Sequence, residues 1–240
     1  MSNCRHRSIS QMLSGNVQWA DNVQQTNPNF FPESAGRAQS PHTLWIGCGD
    51  SRVPETVITG TRPGDIFVNR NVGNQVQFND ENLMATLTFA VDQLGVRNVI
   101  VCGHTGCGAI TASFRASKTV IPGRTPITLD VYSADSPLNR FLAPLTTSIA
   151  NLVPNLQISS VVEAEAIPVL IRENVKVQVD NLCETEVIQN AWRTRPVREE
   201  LTVYGWLYDI GTGRIQDMEI SRGPESLPKP RVFSTEKIML

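Results

Sequence analysis

Residues 83–102 read LMATLTFAVDQLGVRNVIVC, and this stretch decides the fold class. Its first part places apolar side chains at helical spacing, and its last part is a short, continuous apolar run. The helical set is Leu83, Leu87, Ala90, Val91 and Leu94. Gly95 then supplies a helix stop, and the run at 98–102 has the pattern of a strand that is buried on both faces. A helix that leads into such a strand predicts a βαβ unit in a parallel sheet.

Two more apolar runs precede this helix, at 43–48 and 65–70, and Gly60, Pro63 and Gly64 separate them. Because both runs are brief and are flanked by breakers, they indicate buried strands. We therefore predict an α/β fold: a central, mostly parallel β-sheet flanked by helices, with an N-terminal helical arm and a C-terminal hairpin strand.

Downstream of the βαβ unit we expect a helix from Cys107 to about Lys118. The next segment, 119–137, contains three prolines and shows no clear period, which predicts a surface excursion. Helical spacing then returns, and prolines are expected to mark breaks in it. These features lie at 138–152, at 160–192, at Pro154 and at Pro168.

The two ends of the chain carry simpler patterns. Strand-like runs at 201–209 and 214–220 flank a Gly-Thr-Gly turn at 211–213, which predicts a hairpin. A polar, weakly amphipathic helix is expected at 8–26 and ends before Pro28, because the residue before a proline avoids the helical region. We predict one domain over 1–240, with a helical arm at 1–35, the excursion at 119–137 and a tail at 222–240.

The composition excludes some classes of partner. The chain has 21 Lys and Arg against 23 Asp and Glu, a net charge of −2, and contains no basic run that would suit nucleic acid or anionic lipid. Its longest apolar runs, such as 99–102 and 167–171, are far shorter than the roughly 20 residues of a bilayer-spanning helix. We expect small molecules as partners, with no nucleic acid and no membrane.

The cysteines and the N-terminus suggest a compartment. Five cysteines are an odd number, and no apolar segment follows Arg5 and Arg7 as it would in a secretory signal. Reduced thiols and a cytoplasmic location are therefore expected. The alternative is mitochondrial, because residues 1–20 contain Arg and Ser but no acidic residue.

Zinc prefers thiolate and imidazole ligands, and the segment from His104 to Cys107 offers one of each at a strand-to-helix junction. Cys107 is expected near the helix N-terminus, where the helix dipole stabilises a thiolate. Cys48 ends the first predicted strand. Parallel strands bring their carboxyl ends to one edge of the sheet, so Cys48 is expected beside the other two residues. Three protein ligands with an open fourth position are typical of a catalytic zinc site.

Spacing alone leaves the fourth position undecided, and four residues compete for it: Cys102, His42, Cys183 and Asp50. Cys102 lies two residues before His104 on one strand and would point to the same side. Asp50 can ligate zinc directly, or it can pair with the guanidinium of Arg52 instead. The two states of Asp50 suggest a switch.

At this point the residues match a known family. The segments Cys48-Gly49-Asp50-Ser51-Arg52 and His104-Thr105-Gly106-Cys107-Gly108 resemble the C-x-D-S-R and H-x-x-C-G motifs of beta-class carbonic anhydrases. The likeness extends over residues 10–220 or so. It departs from the family pattern at Gly49, where Ser is common, at Gly73, where Ala is common, and in the length of segment 119–137.

The resemblance implies an activity and a set of roles. It implies reversible hydration of carbon dioxide to bicarbonate and a proton, by attack of zinc-bound hydroxide, with one Zn²⁺ per subunit. The implied roles are Cys48, His104 and Cys107 as zinc ligands, Asp50 and Arg52 as the catalytic dyad, and Gln39 as the substrate-binding residue. A homodimer or homotetramer is also implied, in which the N-terminal helix reaches onto the partner.

Family members with an inhibitory bicarbonate pocket resemble this chain at Trp45, Gly47, Arg70 and Tyr208. In such members Asp50 would either pair with Arg52 or close the zinc site as its fourth ligand. Ordinary core packing is the other reading of the two aromatic residues.

Two alternative functions stay open at the level of sequence. Relatives with these motifs hydrolyse carbon disulfide or carbonyl sulfide. A non-enzymatic zinc protein or bicarbonate sensor would result if Cys102 or Asp50 filled the fourth position permanently.

Overall fold

A computed structural model of the chain describes residues 8–196 and 199–224. The chain divides into two compact units, residues 1–39 and 40–240. The expected C-terminal tail lies outside the described residues from 225 onward. The expected division of one domain into arm, excursion and tail stays a prediction.

The second unit is built on a five-stranded sheet in the order β2-β1-β3-β4-β5. Its strands are β1 Thr43–Cys48, β2 Ile66–Asn71, β3 Asn98–His104, β4 Thr202–Asp209 and β5 Arg214–Asp217. The first four pair in parallel, and β5 pairs antiparallel with β4. The predicted fold class is confirmed, including the C-terminal hairpin.

Helices connect the parallel strands. They are α3 Glu55–Thr59, α4 Glu81–Thr88 with a π-helical turn at Phe89–Gln93, α5 Gly108–Ser117, α6 Pro137–Asn155, α7 Glu163–Glu184 and α8 Glu186–Thr194. None of the described helices is both long enough and apolar enough to cross a lipid bilayer.

The βαβ unit forms as its sequence predicts. Asp80 caps α4, because its carboxylate accepts the N–H groups of Asn82 and Leu83. Leu83 and Leu87 are fully buried on the face that meets the sheet. Gly95 ends the helix with φ +67°, a left-handed conformation that glycine adopts at little cost.

The sheet has a large core on one face and a smaller one on the other. The large core joins the strands to α4–α8 through residues such as Ile46, Val101 and Leu170. The smaller core is a cluster of buried residues: Trp45, Val53, Ile100, Cys102 and Tyr208. Side chains that alternate along β1 and β3 supply both cores, which explains why these strands read as continuous apolar runs.

One sequence prediction about the helices needs correction. The expected break at Pro168 is wrong, because α7 continues through this proline and ends near Thr185. Burial of Ala166, Ile167 and Leu170 in the large core offsets the loss of one backbone hydrogen bond. Two short helices were not predicted: α3 and, in the first unit, α2 Phe30–Gly36.

Segment 119–137 contains no helix before Pro137 and no strand, as expected of an excursion. It is nevertheless firmly attached to α6. The buried Asn139 side chain accepts the Leu129 N–H and donates to the Leu129 and Ser133 carbonyls, each at 2.9 Å.

The first unit contains α1 Ile9–Thr26 and α2 Phe30–Gly36. Ser8 and Gln11 form a capping box at the start of α1. None of the residues of α1 is buried, and Ile9, Met12, Leu13 and Val17 are all more than half exposed.

Candidate metal centre

Three ligands meet at the carboxyl edge of the sheet. Cys48 is the last residue of β1, His104 is the last residue of β3, and Cys107 is the N-cap of α5. Gly106 adopts φ +67° in the turn between His104 and Cys107, and this reversal brings the two residues together. The ligand atoms of all three residues lie within 4.8 Å of one another.

The His104 ring is oriented by its own turn. Its Nδ1 lies 3.0 Å from the Thr105 carbonyl oxygen, a contact that assigns the proton to Nδ1 and leaves the Nε2 lone pair free. Nε2 is buried and has no hydrogen-bond partner. A buried imidazole nitrogen without a partner, next to two thiols, is what a metal ligand requires.

The electrostatics of the two thiols also suit a cation. The neighbouring Cys107 and His104 side chains and the Gly73 backbone lower the pKa of Cys48. The neighbouring Cys48 sulfur and burial raise the pKa of Cys107. Burial acts to lower the pKa of His104, but the adjacent Cys48 sulfur outweighs it and raises that pKa. Two thiolates side by side repel each other, and a divalent cation removes this repulsion.

These residues fit zinc. The donor set of two sulfurs and one imidazole nitrogen is the Cys₂His combination of catalytic zinc sites. Cys48, His104 and Cys107 are all buried, and they are the one cluster of metal-ligating side chains within 8–196 and 199–224. The centre is suited to one zinc ion.

Asp50 lies beside the centre and is held by Arg52. Its Oδ1 accepts the backbone N–H and the Nε–H of Arg52, both at 2.9 Å, and its Oδ2 accepts from the terminal guanidinium nitrogen at 2.7 Å. These contacts hold the pKa of Asp50 well below its usual range. Oδ2 is 3.9 Å from His104 Nε2. Asp50 is therefore paired with Arg52, one of its two expected states.

The other three candidates for a fourth ligand lie elsewhere. Cys102 packs in the smaller core with Trp45, and its thiol donates to the Gly103 carbonyl at 3.3 Å. His42 precedes β1, at the opposite end of that strand from Cys48, and its Nδ1 contacts the Thr43 hydroxyl at 2.6 Å. Cys183 lies at the end of α7, where burial raises the pKa of its thiol to about 12.

Arg70, on β2, holds the motif segment that begins at Cys48. Its Nε donates to the Cys48 carbonyl at 2.8 Å, and its guanidinium donates to the Asp50 carbonyl at 2.5 Å. The same guanidinium lies 3.6 Å from a carboxylate oxygen of Glu55. Arg70 therefore fixes the backbone on either side of Gly49.

Trp45 and Gly47 lie on β1, next to the strand that carries Arg70, whereas Tyr208 lies on β4, on the far side of β3. Gly47 is paired with Arg70 across β1 and β2. A Cβ at Gly47 would lie 2.3 Å from Trp45 Nε1, so glycine is required for the indole to occupy its place. Trp45 is fully buried, yet its Nε1–H has no hydrogen-bond partner. Tyr208 is buried in the same core, and its carbonyl accepts the Thr105 N–H at 3.0 Å.

Gln39 is exposed and is the last residue of the first unit. Its substrate-binding role stays a prediction.

Two supporting groups were missed at the level of sequence. The Thr105 hydroxyl donates to Asp209 Oδ1 at 3.1 Å and accepts the Ile210 N–H at 3.0 Å, which ties the His104 turn to the β4–β5 hairpin. The Gly73 backbone, in the loop after β2, contacts Cys48. The sequence signal for this loop was the pair Gly73-Asn74, because glycine and asparagine both tolerate the positive φ that these two residues adopt.

Comparison with known proteins gives one consistent family. The family model described as carbonic anhydrase matches residues 43–215. The carbonic anhydrase of Saccharomyces cerevisiae is 34% identical over 209 residues, which cover 87% of this chain and 88% of the yeast protein.

Two solved structures are also similar. One of the tetrameric beta-carbonic anhydrases of Sordaria macrospora has a TM-score of 0.73 and 35% identity, and the match covers 88% of this chain and 96% of that one. The Coccomyxa beta-carbonic anhydrase in complex with acetazolamide has a TM-score of 0.73 and 30% identity, with 89% and 87% covered.

Proposed function

The chain belongs to the beta class of the carbonic anhydrase family, and from this premise we propose that it catalyses the reversible hydration of carbon dioxide to bicarbonate and a proton. The observation that carries the proposal is the ligand cluster itself. Cys48, His104 and Cys107 place two sulfurs and a free imidazole nitrogen within 4.8 Å of one another, with a carboxylate next to them that Arg52 holds. Zinc in this centre would supply Lewis acidity that lowers the pKa of water towards neutrality.

Side chains and backbone groups around the centre supply the other functions that the reaction needs. Asp50 is charged at neutral pH, and Arg52 lowers its pKa further, so its carboxylate can accept a hydrogen bond from the attacking water. Arg52 uses both of its guanidinium contacts on Asp50, which fixes the direction of the carboxylate. The Thr105 carbonyl keeps the proton of His104 on Nδ1. Gln39 is proposed to donate its amide N–H to an oxygen of the substrate.

The test is metal analysis of the purified protein followed by stopped-flow hydration of carbon dioxide. Two variants form a matched pair, because each replaces one cysteine by serine. Cys48→Ser removes a ligand, whereas Cys183→Ser changes a half-buried thiol outside the cluster. We expect Cys48→Ser to lose zinc and activity together and Cys183→Ser to keep both. Full zinc occupancy without hydration activity in the unaltered protein would contradict the proposal.

Bicarbonate regulation is proposed as a second property of the same molecule. An anion pocket needs buried donors, and the Trp45 indole N–H is a buried donor without a partner. Arg70 adds a positive charge, and it is bound to the carbonyls of both Cys48 and Asp50. Bicarbonate that drew Arg70 away would loosen the backbone on both sides of Gly49, where Asp50 must move if it is to close the zinc site.

Assembly and location are also proposals. We propose a homodimer or homotetramer, supported by the family and by the tetrameric state of the Sordaria macrospora relative. The cytoplasmic location stays a prediction from the odd number of cysteines and from the lack of a secretory-signal pattern, and the mitochondrial location stays its alternative.

A further inference from the structure

The loop between β2 and α4 lies directly against the Cys48 ligand. Cys48 is paired with Asn71, the residue at which the loop begins, and the Gly49 N–H donates to the Asn71 carbonyl at 2.8 Å. Two residues further on, the Gly73 backbone acts to lower the pKa of the Cys48 thiol. The position of this loop therefore affects the backbone directly after the metal ligand, through the bond between Gly49 and Asn71.

A tight turn here would be closed by a bond from the Val76 N–H to the Gly73 carbonyl. Instead, the Val76 N–H donates to Gln178 Oε1 at 2.6 Å, and the Gly73 carbonyl accepts from Asn174 Nδ2 at 3.2 Å. Between the two side chains, Gln178 Nε2 donates to Asn174 Oδ1 at 2.9 Å. Two side-chain amides on α7 thus replace the turn's own hydrogen bond and hold its two ends apart.

Asn174 and Gln178 are well placed for this task. They are four residues apart and lie on one face of α7, where they are only 2% and 4% exposed. Each amide uses both its carbonyl and its amino group, so the orientation of each fixes the other. Buried amides are costly unless they are satisfied, and two of the three bonds of the bridge depend on the loop keeping its place.

The loop is also restrained from the opposite side. Gly73 has φ +87°, and a Cβ at this position would lie 3.0 Å from Leu145 of α6 and 3.3 Å from Ala109 of α5. The Asn71 side chain bonds the backbone of Gln75 at both its N–H and its carbonyl, each at 2.8 Å. A change at the bridge can therefore move Gly73 by a small displacement without unfolding the loop.

We propose that Asn174 and Gln178 are positioning residues of the metal centre: they hold the loop that Asn71 ties to the backbone directly after Cys48, and they thereby increase the affinity of the site for zinc. Neither residue contacts the metal ligands through its own side chain. The inference rests on the proposed function only in taking zinc as the ion.

The test compares two Gln→Met substitutions of the same size. Gln178→Met removes the bridge, whereas Gln189→Met removes an amide on α8 that donates to the Cys183 carbonyl at 2.6 Å. Zinc dissociation constants are measured by competition with a chromophoric chelator. Outer-shell changes typically weaken metal binding by 10- to 100-fold, so we expect about 10-fold weaker binding for Gln178→Met and less than about 2-fold for Gln189→Met.

A second readout separates positioning from general support of the fold. With Co²⁺ in place of zinc, the thiolate-to-metal charge-transfer band reports the hydrogen bonding of Cys48. This band should shift in Gln178→Met and in Asn174→Leu but not in Gln189→Met. Zinc affinity and band position unchanged in both bridge variants would overturn the inference, and so would equal weakening in Gln189→Met.

Hydrogen exchange of the unaltered, zinc-loaded protein decides the matter if the bridge variants do not fold. The Val76 and Gly73 amides should exchange far more slowly than those of an open loop, and exchange at open-loop rates would overturn the inference. None of these readouts uses carbon dioxide. If zinc affinity depends on the bridge but the zinc-loaded protein lacks hydration activity, the proposed function is contradicted and this inference still holds.

Discussion

Asp50 presents both carboxylate oxygens to Arg52, and the oxygen that faces the metal centre stays 3.9 Å from His104 Nε2. This relationship places a permanent negative charge at the edge of the site without making it a ligand. The cost of displacing Arg52 is modest, because its side chain is 55% exposed and solvent screens the pair. The proposed activity and the proposed regulation therefore depend on the same contact.

The first prediction concerns the charge of Asp50. Asp50→Asn keeps the shape of the side chain but loses its negative charge and replaces one acceptor oxygen by an NH₂ donor, and we expect hydration to fall about 100-fold or more while zinc is retained. Asp180→Asn is the matched control, because Asp180 pairs with Arg222 at the surface. Stopped-flow assays with metal analysis make the comparison. Normal turnover in zinc-loaded Asp50→Asn would remove Asp50 from the mechanism.

The second prediction concerns pH. Two thiolates donate more charge to zinc than neutral imidazoles do. The pKa of water at this centre should therefore be higher than the roughly neutral value that three histidine ligands give. Asp50 does not set this limit, because its lowered pKa leaves it charged far below neutrality. Hydration rates should therefore rise from neutral into alkaline pH. A rate that is already maximal well below neutral pH would show that the assignment is wrong.

Much of this centre is predictable from sequence because its chemistry sits at strand ends. Continuous apolar runs fixed the positions of β1 and β3, and the rule that parallel strands share a carboxyl edge brought Cys48 to His104 and Cys107. The choice among four candidates for a fourth ligand was not decidable in the same way. Cys102 has the expected spacing from His104, and only its packing in the smaller core excludes it.

The features that escaped prediction depend on tertiary contacts. Asn174 and Gln178 read as polar positions of a helix, and nothing local reveals that they face a loop about 100 residues away. Pro168 appeared to break a helix because sequence rules count the lost hydrogen bond but not the burial that offsets it. The helices α2 and α3, of seven and five residues, are too short to show a period.

The third prediction tests the bicarbonate pocket. Trp45→Phe keeps an aromatic ring in the core but removes the unpartnered indole N–H, so we expect bicarbonate to inhibit the variant less than it inhibits the unaltered protein. Trp192→Phe is the control, because its indole donates to the Leu201 carbonyl at 2.8 Å, far from β1 in sequence. The quantity compared is the ratio of activity with and without bicarbonate at constant ionic strength. Equal ratios in all three proteins would leave Trp45 as a packing residue.

The fourth prediction concerns assembly through the N-terminal unit. Ile9, Leu13 and Val17 recur at helical spacing along α1 and are each more than half exposed, so they form an apolar stripe. In the family this helix is expected to reach onto a partner, and a second copy of the chain would cover the stripe. Leu13→Asp should then lower the mass measured by light scattering, whereas Gln18→Asp, on the opposite face of α1, should not. A multimer of unchanged mass in Leu13→Asp would place the interface elsewhere, because a buried, unpaired carboxylate at the stripe is costly.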